Sequence, residues 1–81
     1  MDRTEYLNRM TRALYCVARD IPIPPECIVV YQGIRYYPCE YIMTSDGNGN
    51  YVHKALLHDL KANSTARANL DQVKEYTPCN S

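Results

Sequence analysis

Residues 27–44 read Cys27-Ile28-Val29-Val30-Tyr31-Gln32-Gly33-Ile34-Arg35-Tyr36-Tyr37-Pro38-Cys39-Glu40-Tyr41-Ile42-Met43-Thr44. The run is rich in β-branched and aromatic residues and broken once, at Gln32-Gly33. Glycine reaches positive φ without penalty, so this pair predicts a two-residue hairpin turn. The flanking segments are then strands, 27–31 and 34–44. Pro38 cannot donate to a ladder, which marks an edge or a bulge there. Alternation along the second strand sets Arg35, Tyr37, Cys39, Tyr41 and Met43 on one face. Ile34, Tyr36, Glu40 and Ile42 fall on the other. Neither face is cleanly polar, so the strand is expected to bend and to pack on both sides.

Working outward, Ser45-Asp46-Gly47-Asn48-Gly49-Asn50 is the strongest turn signal in the chain. Tyr51 to Leu60 follows as a third strand, with a helix over Lys54 to Lys61 as the competing reading. Lys61-Ala62-Asn63-Ser64 is a further turn and Thr65 to Asn69 a fourth strand. Leu70-Asp71-Gln72-Val73 reads as one helical turn before a last strand, Val73 to Tyr76. Thr77 to Ser81 reads as a frayed tail.

Upstream, residues 3–19 read as one amphipathic helix, with Asp2 and Glu5 at capping-box spacing. Tyr6, Leu7, Met10, Ala13, Leu14, Val17 and Ala18 recur at three- and four-residue intervals, which puts Leu14 at the centre of the buried stripe. Glu5, Arg9, Arg12, Cys16 and Arg19 form the opposite stripe. Residues 20–26, with Pro22, Pro24 and Pro25, are an extended linker that no helix can enter. The expectation is a single domain over residues 1–81. Its fold class is α+β: one N-terminal helix packed on a curved antiparallel sheet or partly open barrel, with the β region at 27–76.

Charge narrows the function classes. Nine basic residues balance nine acidic ones, for a formal net charge of zero. Nucleic-acid binders ordinarily carry a basic excess, so composition argues against that role without removing a local basic face. The chain suffices for one modest core, with little left for a deep water-excluding cleft. No run of apolar residues approaches membrane-span length. Met1-Asp2-Arg3-Thr4-Glu5 lacks the apolar run of a signal peptide, so a cytoplasmic protein with reduced thiols is expected. On that reading Cys16, Cys27, Cys39 and Cys79 are free, and the Asn63-Ser64-Thr65 sequon is only a turn.

Chemistry-bearing patterns are weak. Asp46-Gly47-Asn48-Gly49-Asn50 superficially resembles a calcium loop. Its sixth and twelfth positions hold Tyr51 and Leu57, where that loop needs Gly and Glu, so a hairpin turn is the better reading. Cys27, Cys39, His53 and His58 supply zinc-type ligands without the close cysteine pair of structural zinc sites. His53 and His58 lie five apart and should point to opposite faces of a strand. Cys39 and His53, on adjacent strands, are the one candidate nucleophilic pair. No metal, cofactor or catalytic residue is expected.

Binding residues are easier to nominate. Eight tyrosines and no other aromatic residue occur in the chain. Tyrosine and arginine dominate interface hot spots. Tyr37 and Tyr41, with Arg35 beside them, are the first candidate surface. Arg9, Arg12 and Arg19 on the helix are the second, suited to an anionic contact.

The order Val30-Tyr31-Gln32-Gly33 into Tyr36-Tyr37-Pro38, the Asp46–Asn50 hairpin, Leu57-His58-Asp59, and Leu70-Asp71-Gln72-Val73 before a short last strand resembles an SH3-like small β-barrel. The resemblance covers residues 28–76 and implies architecture alone, because the aromatic groove motifs of true SH3 domains are absent. The chain also resembles small uncharacterised proteins of bacterial phages and mobile elements. The function expected is a non-catalytic protein-binding module, such as an inhibitor or adaptor encoded by such an element. The alternative is a nucleic-acid-binding accessory using the arginine helix face and exposed tyrosines. A protein partner is favoured over nucleic acid, no membrane is implied, and self-association stays open.

Overall fold

The computed structural model describes residues 1–78; Cys79 and the rest of the expected tail, residues 79–81, lie outside the described residues. Helix α1 spans Arg3–Ala18. Five strands follow: β1 Val29–Tyr31, β2 Ile34–Ser45, β3 Tyr51–Asp59, β4 Thr65–Asn69 and β5 Lys74–Glu75. They form one antiparallel sheet in the order β4-β3-β2-β1-β5, which is not closed. The helix packs chiefly on β2. The fold is α+β, as the residue pattern predicts.

Local chemistry accounts for the elements. The β1–β2 turn takes positive φ at Gln32 (52°) and Gly33 (77°), the twist-compatible hairpin geometry. The β2–β3 turn is tied by Asp46, whose carboxylate accepts from Asn48 N–H at 2.7 Å and Asn50 N–H at 3.3 Å. At the β3–β4 turn Asp59 accepts from Lys61 N–H at 2.7 Å and Ala62 N–H at 3.2 Å. These bonds hold its carboxyl below the usual range. Residues 51–59 are strand rather than helix because β2 and β4 pair with them on both sides. Pro25–Cys27 is a 3-10 turn and not the start of β1. A second 3-10 turn, Leu70–Gln72, carries the chain from β4 at one edge to β5 at the other.

The core lies on one face of the sheet. Val29, Tyr36, Ala55, Leu57 and Ala68 are buried there with Tyr6, Leu70 and Val73. In β2, Pro38 pairs with Leu57 and Glu40 pairs with Leu56, leaving Cys39 as an extra residue. That bulge reverses the alternation after Cys39. Tyr41, opposite Ala55, therefore joins the Tyr36 face and not the Tyr37 face. The expected sharing of one face by Tyr37 and Tyr41 is thus corrected.

The helix corrects a second expectation. Tyr6 and Ala13 are its buried residues, whereas Leu14 is 38% exposed and Val17 and Ala18 are exposed. The buried face is rotated from the apolar stripe toward Arg9, whose side chain is only 11% exposed. Two polar side chains set that rotation. The Tyr6 hydroxyl reaches two strand carbonyls, Glu40 O at 2.8 Å and Leu56 O at 2.9 Å. The Arg9 guanidinium donates to Glu26 O and Ile28 O and pairs with Glu5 at 2.8 Å. Asp2 caps Thr4 N–H at 3.3 Å, and Glu5 turns to Arg9 instead of completing a capping box.

Replacing Tyr6 by Phe should destabilise the protein by about 1–3 kcal/mol, because the buried carbonyls at the bulge lose a donor. Leu14→Ala should change stability by less than about 1 kcal/mol, as a half-exposed position. Urea unfolding of both variants checks this, and a larger loss at Leu14 than at Tyr6 would refute the observed helix rotation.

Candidate functional site

Side chains directly across a strand pair share a face, so the register defines the sheet's outer surface row by row. Lys74, Val30 and Arg35 form one row. Tyr37, His58 and Thr65 form the next, then Glu40, Leu56 and Arg67, then Ile42, Lys54 and Asn69. Arg35, Arg67, Lys74 and Thr65 are exposed, and Tyr37, Leu56 and His58 are half-buried. These side chains face away from the buried cluster.

The centre of this surface is an aromatic pair. Tyr37 and His58 stack with ring centroids 5.0 Å apart and an interplanar angle of 24°. Burial raises the Tyr37 phenol pKa, with the Cys39 thiol adding to the shift. Where the end of α1 and the following linker approach this pair, a shallow groove of about 480 Å³ opens, lined by Val17, Ile21, Tyr37, His58 and Leu60 together with charged residues including Asp59. Val17, Ile21 and Leu60 are exposed apolar side chains. The sequence does not reveal them, because the apolar stripe of the helix places Val17 in the core and the proline-rich linker reads as a connector. The signal available was the pairing of Ile21 and Ile23 with three prolines, an apolar segment in a region that needs none.

The nominated residues separate into three settings. Arg35 and Tyr37 lie on the outer surface, with the Arg35 guanidinium 5.8 Å from the Tyr76 ring. Tyr41 lies on the core side, 6.2 Å from Tyr6 and hydrogen-bonded to His53 Nδ1. The Arg3 guanidinium stands 5.6 Å from its ring. The helix arginines are engaged within the protein. Arg9 is clamped as described, Arg12 pairs with Glu26 at 3.0 Å, and Arg19 lies 3.7 Å over the Tyr15 ring.

The expected opposition of the two histidines holds: His53 faces Tyr41 and His58 faces Tyr37. Cys39 and His53 do not meet. The Cys39 thiol donates to Leu56 O at 3.2 Å, while His53 lies across from Met43. Among the described residues no group of three or more His, Cys, Asp or Glu side chains could hold a metal ion. No helix among them is long and apolar enough to cross a membrane. Compared with known protein families, curated proteins and solved structures, the chain matches none.

Cys16, Cys27 and Cys39 are free thiols. Burial pushes the Cys27 and Cys39 thiols up, with Glu40 adding to the shift at Cys39. Burial does the same to the Tyr6 phenol. The folded state therefore keeps protons that the unfolded chain releases above roughly pH 8.5 for thiols. Stability from these groups is full below that value and should fall as pH rises through the alkaline range. Melting temperatures measured from pH 7 to 10.5 should decline. Native-state alkylation with iodoacetamide should label Cys16 before Cys27, read by peptide mass. Equal rates would refute the burial of Cys27.

Proposed function

We propose that the protein is a non-catalytic protein-binding module. Its contact surface is the outer sheet around Arg35, Tyr37 and His58, together with the groove of Val17, Ile21 and Leu60. The observation that carries this reading is the stacked Tyr37–His58 pair, set beside exposed apolar side chains with Arg35 in the adjacent row of the same face. Tyrosine and arginine are enriched at the energetic centres of protein interfaces. Exposed apolar groups clustered in one place are more informative than the same groups scattered. The passage from β4 through a 3-10 turn to β5 beside β1 supports reading the scaffold as SH3-like. The nucleic-acid reading loses its main support on the helix, since Arg9 and Arg12 are paired with glutamates.

A photo-crosslinking residue placed at Leu60 should give one discrete protein adduct in extracts of the native host. The same residue at Tyr51, at the far hairpin, should give none. Tyr37→Ala should abolish the Leu60 adduct while lowering the melting temperature by only a few degrees. Adducts of equal yield from both positions, or an adduct to nucleic acid, would overturn the reading.

A further inference from the structure

The sheet ends at β4 with nothing paired to its outer edge among the described residues. The strand reads Thr65-Ala66-Arg67-Ala68-Asn69 and contains no proline and no bulge. Asn69 N–H is already taken by Gln72 Oε1 at 3.3 Å. Backbone groups alternate between the two sides of a strand, so the outward-facing ones that remain are those of Thr65 and Arg67. A free strand edge is a template for another strand, and proteins normally blunt it with charge or shortness. Here the blunting device is Arg67 at the strand's centre.

That charge also selects what can add. Antiparallel pairing of β4 with a second copy, centred on the strand, would set Arg67 against its own counterpart, and like charges directly opposite are unfavourable. An acidic side chain at the same position is favourable. Further cations share the surface with Arg67: Lys54 on the neighbouring strand, and Arg35 and Lys74 toward the other edge. Against these four, Glu40 is the acidic residue of the outer rows. No ion pair joins any of the four to a carboxylate among the described residues. Lys54 donates instead to the neutral Asn69 side chain at 2.5 Å.

We propose that the β4 edge receives an extended acidic segment of a partner protein as a sixth strand, with a carboxylate facing Arg67. Main-chain bonds to Thr65 and Arg67 supply the pairing, and alternate side chains of the added strand fall on the basic outer surface. This inference rests on the protein-binding reading and gives the partner a second contact, at the opposite edge of β3 from the Tyr37 groove.

The test uses the full chain labelled with nitrogen-15 and three capped seven-residue peptides. Valine alternates in them with glutamate, glutamine or lysine. The glutamate peptide should shift the amides of residues 65–68 and slow hydrogen exchange at Thr65 and Arg67, whose N–H groups face outward. It should bind about fivefold more tightly than the glutamine peptide, the range of one or two exposed charge pairs. Arg67→Glu should weaken the glutamate peptide and strengthen the lysine peptide. Equal binding of all three peptides, or no binding of any at millimolar concentration, would overturn strand addition. So would tighter binding of a thymidine oligonucleotide, or concentration-dependent dimerisation through β4. Shifts confined to Tyr37, His58 and Leu60 would overturn the edge site while leaving the groove reading intact.

Discussion

Cys39 stands opposite no residue of β3, because Pro38 pairs with Leu57 and Glu40 with Leu56. One extra residue in a strand interrupts the ladder, bends the strand and leaves polar backbone groups short of partners. The shortage falls beside the carbonyls of Glu40 and Leu56. The Tyr6 hydroxyl of α1 and the Cys39 thiol both donate there. A buried tyrosine needs a partner for its hydroxyl, and a buried carbonyl needs a donor. The bulge and Tyr6 satisfy each other, so the helix is positioned by the irregularity in the sheet.

Once Tyr6 is seated, the rotation of the helix follows. Arg9 lies three residues on and turns toward the Pro25–Cys27 region, where it meets the carbonyls of Glu26 and Ile28 as well as Glu5 and Glu75. A guanidinium with this many acceptors is a spacer between the helix and the β1–β5 side of the sheet. Hydrophobic burial alone would have favoured Leu14 and Val17 facing inward. Directed hydrogen bonds prevail here, with Tyr6 and Arg9 seated on those acceptors. The displaced apolar side chains do not vanish from the surface. Val17 becomes one wall of the groove beside Tyr37, so the polar anchoring of the helix and the apolar character of the candidate site have a common origin.

This explains which parts of the molecule were legible in the sequence. Turns are local chemistry, and Gln32-Gly33, Asp46–Asn50 and Lys61–Ser64 each appear where their residues require. The strand and helix types follow from them, including the helical turn at Leu70. Facing is not local. A period-two count along β2 cannot register a bulge, so it places every residue after Cys39 on the wrong side, Tyr41 among them. Likewise a period of 3.6 identifies the apolar stripe of α1 but carries no information about acceptors on β2 and β3. Of the candidate residues, Arg35 and Tyr37 precede the bulge and keep their predicted face. Tyr41 follows it, and Arg9 belongs to the rotated helix.

Charge shows the same division between sum and place. The chain is neutral by count, and counting argues against a nucleic-acid partner. The fold redistributes that neutrality. Glu5, Glu26 and Glu75 gather on the helix side and meet Arg9 and Arg12. Arg35, Lys54, Arg67 and Lys74 are left on the outer rows with Glu40. Internal pairing on one side thus produces a cationic surface on the other. A partner approaching the sheet encounters that local field within about one Debye length, roughly 8 Å at physiological salt, rather than the net charge of the molecule. What the protein can bind is governed by the register that sorts its charges, and the same register carries the bulge that seats Tyr6.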